Sequence, residues 1–277
     1  MKFSILIAHY NNSVYFKDCY ESLKKQTYTD WEAVILDDAS IDSEKKAVMD
    51  LIQNDSRFKF YENEKNFGVG ITKSKLIDLA TGAICGFVDP DDAILPSAIE
   101  KAVDVFKHNQ DTVLTYSRFI SCDQHLNPLF EFKSAMQVPN DDIFFFNYPV
   151  QIAHFVCFRK NSYELTEKMD SSLKIAEDQD LYLKLYEKGK VRFINESNYL
   201  YRTHLKGISQ NDNKKDSYEY WGRVIFNAMK RRKISHINGK KIPACYTNSE
   251  EIFSLLSYQN KISYRIIKKL KILFQKI

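Results

Sequence analysis

The sequence predicts an α/β fold: a doubly wound, mostly parallel sheet followed by a helical extension. Three observations carry this. Over the first 120 residues, short apolar runs alternate with helical periodicities. Two of the runs end abruptly in clustered acids, Asp37-Asp38 and Asp89-Pro90-Asp91-Asp92. From about Asn211 onward the pattern becomes helical and basic.

Each element has its own signal. Lys2 to Ala8 is a nearly continuous apolar run, as in a strand buried on both faces. Asn11, Asn12 and Ser13 follow as turn or cap residues. Phe16, Cys19, Tyr20 and Leu23 then share one helical face. Glu32 to Leu36 is a second strand, and a helix from Ser43 places Val48, Leu51 and Ile52 together. Phe58 and Phe60 alternate in a third strand. Asn66 to Gly70 is a loop, Thr72 to Ala80 a helix, and Gly82 its expected C-cap. Ile84 to Val88 is the fourth strand. Pro96 opens a helix with Ile99, Ala102, Val103 and Phe106 on one face, and Val113 to Tyr116 is a further strand. Periodicity fades from Ser121 to Tyr148. Ile152 to Phe158 reads as a strand, Glu177 to Tyr186 as a helix, and Val191 to Ile194 and Tyr199 to Tyr201 as two short strands. Strands joined through helices give right-handed crossovers, and ligands bind beyond the carboxyl ends of such strands. Both acid clusters lie at those ends, so they are expected to face one crevice.

Bulk properties bound the function. The chain has 277 residues, 44% hydrophobic and 27% charged, ordinary for a soluble globular protein. A net charge of +4 gives no argument for nucleic acid. Five scattered cysteines without a CxxC pair argue against a disulfide framework or zinc site and fit a reducing cytoplasm. The start lacks a signal-peptide pattern, and no stretch reaches the roughly 18 apolar residues of a membrane span.

Three carboxylates within four positions repel one another, and each raises the others' pKa. A hard divalent cation, Mn²⁺ or Mg²⁺, would supply the counter-charge and leave room for a diphosphate. The bland alternative is a solvated acidic turn. An EF-hand fails, because Ile94 stands where the loop needs Gly and Pro96 opens a helix.

Six segments occur in order: ILIAHYNN (5–12), VILDDAS (34–40), NFGVGITKSKLIDLATG (66–82), FVDPDDAILP (87–96), AEDQDLYLKL (176–185) and YRTHLKGIS (201–209). Together they resemble the family 2 inverting glycosyltransferases with the GT-A fold, a Rossmann-like sheet, over roughly residues 1–210. The resemblance implies a glycosyltransferase domain over 1–210, divided into a nucleotide-binding half (1–120) and an acceptor-binding half (121–210). A basic helical extension, 211–277, would follow.

The same resemblance implies roles residue by residue. Ala8, Tyr10 and Asn11 would contact base and ribose, while His9 stands where the family has a small residue or Val. Asp38 would accept from a uracil-type ring N–H, with Asn66 in the loop nearby. Lys73, where the family has Arg, would hold phosphate as a point charge. Asp91 is the expected metal ligand, with Asp89 toward ribose and metal, Asp92 supporting, and His204 near the metal or diphosphate. Asp178 would be the general base, with Glu177 orienting the acceptor or standing in for it; Asp180 reads as a surface helix residue. His154 and Arg202 fall on the acceptor side, and Arg202 could equally hold phosphate.

The reaction the resemblance implies is metal-dependent inverting transfer from a nucleotide-sugar, expected to be a UDP-sugar, to a saccharide or lipid-linked saccharide hydroxyl. The alternatives are a sugar-phosphate nucleotidylyltransferase and a non-catalytic sugar-nucleotide or glycan-binding module. The first needs a Gly-rich basic loop where AHYNN stands; retention of Asp178 with the DxD group disfavours the second. The terminal segment 261–277 has six Lys or Arg and no acid, with Ile262, Ile266, Leu270, Leu273 and Ile277 on one face. Three readings remain open for it: an anionic membrane surface on the cytoplasmic side, docking on its own domain, or a homodimer contact.

Overall fold

The structure is a computed structural model and describes residues 1–204 and 214–275. Its first half follows the predicted alternation. The elements are β1 (Phe3–His9), α1 (Ser13–Lys24), β2 (Trp31–Asp37), α2 (Asp42–Ile52), β3 (Phe58–Glu62), α3 (Val69–Leu79) and β4 (Ile84–Phe87). These strands pair in parallel in the order β3-β2-β1-β4. The chain therefore winds outward from β1 to β3, then returns to the other side of β1. That reversal opens a crevice at the carboxyl ends of β2, β1 and β4, and the two acid clusters lie at the ends of β2 and β4.

Beyond β4 the sheet is mixed. β5 (Ala93–Ile94), α4 (Ala98–His108), β6 (Thr112–Cys122), β7 (Pro128–Glu131), β8 (Cys157–Arg159), α5 (Lys160–Glu164), α6 (Glu177–Tyr186) and β9 (Lys190–Arg202) continue the chain. β8 lies antiparallel between β4 and β6, while β6 and β9 pair in parallel.

Period-2 alternation sorts side chains into two cores. Phe3, Ile5 and Ile7 of β1 join Ala33 and Ile35 of β2 against α1, α2 and α4, including Phe16, Cys19, Val103 and Phe106. Leu6, Val34 and Leu36 face the other way, onto Leu76 of α3 and Leu181 and Leu185 of α6. The C-terminal helices α7 (Lys214–Arg231) and α8 (Ser249–Leu256) add Val224, Met229, Ile252 and Leu256 to this second core. The described part of the segment, 214–275, is largely helical, and its core is continuous with that of the sheet. The expected boundary at 210/211 lies outside the described residues. Arg231 and Arg232, in the basic stretch that follows Asn211, both pair with Glu187 at the end of α6.

Four expectations change. Of the 152–158 run only Cys157 and Phe158 pair as a strand, in β8; Ile152 and Phe155 are buried by core packing instead, with Phe155 N donating to Ser117 Oγ at 3.0 Å. The two short strands at 191–194 and 199–201 are one continuous strand, β9, whose register slips against β6. β6 itself runs to Cys122, past the apolar part that marked it. Gly82 is not a left-handed cap: α3 ends at Ala80 in extended geometry. Gly82 is required because a Cβ there would lie 2.7 Å from Ser4 N.

Gly82→Ala should therefore lower stability by about 1–3 kcal/mol, since backbone atoms of β1 must move. Urea unfolding should show a lower midpoint at unchanged m-value. An unaltered midpoint would mean the close approach is relieved elsewhere.

Candidate active site

The crevice floor is set by the ends of β1 and β2. Asp38 N donates to His9 O at 2.8 Å, locking the two strand ends together. Asp37 is fully buried and accepts from Ser40 Oγ (2.6 Å) and Ser40 N (2.8 Å), with His9 Nδ1 at 2.7 Å. Burial acts to raise the Asp37 pKa, but the His9 and Ser40 hydrogen bonds outweigh it and hold the carboxyl below its ordinary value. His9 is fully buried too, so it supports Asp37 from beneath the crevice. Three residues near these turns take positive φ without being glycine: Asn11 (46°), Ala39 (62°) and Ala176 (64°). Such conformations concentrate where a backbone must present particular groups.

Asp38 accepts from Asn63 Nδ2 (2.8 Å), Phe67 N (2.9 Å) and Gly68 N (2.8 Å). Its carboxylate organises the 63–68 loop that walls the crevice, and that loop presents Asn66 to solvent. Asn11 similarly braces the next turn, its N donating to Ser40 Oγ at 2.8 Å and its Oδ1 accepting from Ile41 N at 3.1 Å. Ala8 is half-buried at the end of β1, and Tyr10 is exposed beyond it.

Across the crevice, Lys73 on α3 donates to Glu177 Oε1 at 2.8 Å and lies 4.0 Å from Asp89 Oδ1. Gly70 permits this, since a Cβ there would meet Leu173 O at 2.8 Å just before α6. Burial works to lower the Lys73 pKa, yet the charges of Glu177, Asp89 and Asp178 prevail and raise it. Lys73 is thus a fixed cation joining the strand-end acids to those of α6. Asp178, next to Glu177, is pushed up to about 6 by burial and by the Glu177 charge, with Lys73 opposing. Asn147 Nδ2 donates to Gln179 Oε1 at 2.8 Å, steadying the residue beside Asp178.

The Asp89-Pro90-Asp91-Asp92 turn divides its carboxylates. Asp91 Oδ2 meets His204 Nε2 at 2.7 Å. Burial and the Asp89 charge raise the Asp91 pKa, partly offset by His204. Asp92 departs from the expected metal role. It is buried, with Oδ2 taken by Tyr199 Oη at 2.7 Å and Oδ1 by Arg202 N at 2.7 Å. Burial and its two acidic neighbours push its pKa up.

Arg202 is also corrected. It is buried and spends its guanidinium on Asp91 O (2.6 Å), Gln124 O (2.6 Å) and Asp18 Oδ2 (2.7 Å), leaving it a latch rather than an acceptor contact. Asp180 is no surface residue: it is buried and salt-bridged to Lys184 at 2.6 Å, with Arg231 Nη1 at 3.7 Å. His154 stacks on Tyr199 and Tyr201, ring centroids 4.8 and 5.7 Å away. Burial lowers its pKa, against Asp89. The part of YRTHLKGIS beyond His204 lies outside the described residues.

Among the described residues no three His, Cys, Asp or Glu side chains form a ready metal cage. The donor chemistry still suits a hard cation. Asp91 and His204 bring a carboxylate and an imidazole within 2.7 Å of each other, and the charge of Asp89 bears on Asp91.

The family model described as glycosyl transferase family 2 matches residues 4–165. The chain belongs to glycosyl transferase family 2. Chondroitin synthase of Escherichia coli is 31% identical over 71% of this chain and 28% of its own length. Hyaluronan synthase of Pasteurella multocida is 26% identical over 99% of this chain and 28% of its own. The chain thus spans less than a third of these relatives. Among solved structures, Staphylococcus aureus TarS 1-349 in complex with UDP-GlcNAc aligns with TM-score 0.69 at 18% identity, covering 92% of this chain and 70% of that one. A Pyrobaculum calidifontis mannosyltransferase in complex with GDP-Man and Mn²⁺ aligns with TM-score 0.60 at 11% identity, covering 97% and 83%. The family 2 chain therefore carries the GT-A fold.

Sequence reading missed Asn63, Tyr199 and Asp18. Asn63 directly follows β3, and strand-end position was a usable signal. Tyr199 stood in an expected strand, two residues from Tyr201. Nothing marked Asp18, whose partner is 184 residues away.

Asp38→Asn puts an amide N–H where loop N–H groups need an acceptor. It should accelerate hydrogen exchange at Phe67 and Gly68 by about tenfold or more, on the order of 1.5–3 kcal/mol. Unchanged exchange there would show that the loop holds without this carboxylate.

Proposed function

We propose that the protein transfers a glycosyl group from a UDP-linked sugar to an acceptor hydroxyl, inverting the anomeric centre. One observation carries the reading. Two acidic groups of different environment, Asp89 and Asp91 on one wall and Glu177 and Asp178 on the other, are joined through Lys73. The UDP-GlcNAc complex of the structurally similar TarS supports the choice of donor.

In this reading the β1 end, Ala8 to Asn11, and the Asp38-braced loop with Asn66 receive base and ribose. Asp89, Asp91 and His204 would hold Mn²⁺ or Mg²⁺, which when bound neutralises charge on the departing diphosphate. Asp92 and Arg202 support that turn from inside. Lys73 compensates charge between the walls. Asp178 accepts the proton of the acceptor hydroxyl as its oxygen attacks the anomeric carbon from the face opposite the diphosphate. A pKa near 6 suits this role, since the base is ionised at neutral pH yet basic enough to take the proton. Glu177, held by Lys73, orients the acceptor, with His154 and its tyrosine stack nearby. The acceptor class is a saccharide or lipid-linked saccharide, by kinship with the polysaccharide synthases.

Asp178→Asn should keep UDP binding and lose transfer by about 10²–10⁴-fold. Transfer at near the unmodified rate would reassign the base to Glu177. Activity should also fall about tenfold per pH unit below about 6, because a base acts only when deprotonated. A rate independent of pH between 5 and 7, as orders of magnitude of acidity about that value, would exclude a base titrating there.

Asp91→Asn should abolish metal-dependent UDP binding in calorimetry while the fold persists. Metal-dependent affinity equal to that of the unmodified protein would remove Asp91 from the metal site.

A further inference from the structure

The last helix, α9 (Ile262–Phe274), is docked the wrong way round for a soluble domain. An amphipathic helix ordinarily buries its apolar stripe and leaves its lysines in water. Here the docked side is a mixed one, with Lys268, Lys271 and Gln275 beside Tyr264 and the half-buried Ile272. Lys268 donates to Gln151 Oε1, and Lys271 Nζ lies 3.2 Å from Asp142 Oδ2. Asn140 and Gln275 exchange hydrogen bonds at 2.9 and 2.7 Å. Tyr264 packs on Tyr258, ring centroids 5.0 Å apart. No residue of α9 is buried. Its apolar stripe faces solvent, from Ile262 at 74% exposure through Ile266, Ile267 and Leu273 to Leu270 at 47%, with Phe274 at 72%. Of the three readings the sequence leaves open, docking of this face on its own domain is not what the structure shows.

We propose that this face of α9 seats the protein on an anionic lipid surface. Charge selects the occupant. From Lys261 to Gln275 there are five Lys or Arg and no acid. Two of the five are committed to the docked side, Lys268 and Lys271. Lys261, Arg265 and Lys269 are exposed and available to headgroups. A helix lying in the interface buries such a stripe among acyl chains while its cations meet anionic headgroups. A second copy of the chain fits poorly, because an isologous contact through this stripe would set Arg265 and Lys269 of each protomer beside those of the other. No helix among the described residues is long and apolar enough to cross a membrane.

The docked side gives the seat a direction. α9 rests on residues 140–151, and within that segment Asn147 reaches Gln179 beside Asp178. α9 would thus stand between the lipid surface and the segment that steadies the base helix α6.

Co-sedimentation of the full chain with phosphatidylglycerol or phosphatidylcholine vesicles tests this. The protein should pellet with phosphatidylglycerol and stay in solution with phosphatidylcholine. Arg265→Glu with Lys269→Glu should weaken pelleting about tenfold or more, and added salt should do the same. Ile266→Asp with Leu270→Asp should abolish it without lowering the melting temperature, since both side chains are already in water. Pelleting that survives this double substitution overturns the proposal. So does recovery in the supernatant with both lipids, or a dimer in lipid-free sedimentation that the same substitution dissolves.

Discussion

The ion pair between Lys73 and Glu177 is the constraint on which the crevice depends. Neither group tolerates burial alone, because removing a charge from water costs several kcal/mol unless a partner compensates. Their 2.8 Å contact binds α3 to α6 across the sheet and brings Asp89 within 4.0 Å of the same cation. Elements 104 residues apart are thereby held at fixed separation. Gly70 makes the approach sterically possible, and the left-handed Ala176 turns the chain so that Glu177 and Asp178 enter α6 facing inward.

The acids around this pair divide by what each oxygen touches. Asp37, Asp38 and Asp92 are buried and saturated with hydrogen bonds from His9, Ser40, Asn63, loop amides, Tyr199 and Arg202. They shape the walls. Asp89, Asp91 and Asp178 are the ones left able to exchange a charge or a proton with something in the crevice. A cluster that looks uniform as DPDD in the sequence is thus two kinds of carboxylate, distinguished by the direction of each side chain.

This explains what could be read from the sequence. Strand–helix alternation was legible because burial on both faces writes continuous apolar runs, and helices write a 3.6 period. The α6 boundaries at Glu177 and Tyr186 and the positions of β1 to β4 followed from that. The β9 strand was split in two because Asn195, Glu196 and Ser197 interrupt its apolar pattern. The 152–156 run reads as strand because core burial and sheet pairing write the same apolar composition. Arg202 and Asp92 lay in the right place but with the wrong orientation, since no local pattern records which way a polar side chain turns. Likewise Asp180 reads as solvated until Lys184 and Arg231 are seen closing over it.

The Arg202 latch has a consequence for the order of events on the ribosome. Its guanidinium ties Asp18 on the first helix to the backbone at Asp91 and Gln124, and its own amide supplies a donor to Asp92. A nascent chain that has passed residue 165 already contains every parallel strand from β1 to β4, yet Tyr199, Arg202 and His204 are still to come. Until then Asp91 and Asp92 repel across a turn with nothing to hold them. Closing such distant contacts is slow, because loop entropy must be overcome before they form. The crevice is therefore a late product of folding, and a chain that stops before β9 would lack both that strand and the contacts that compose the site.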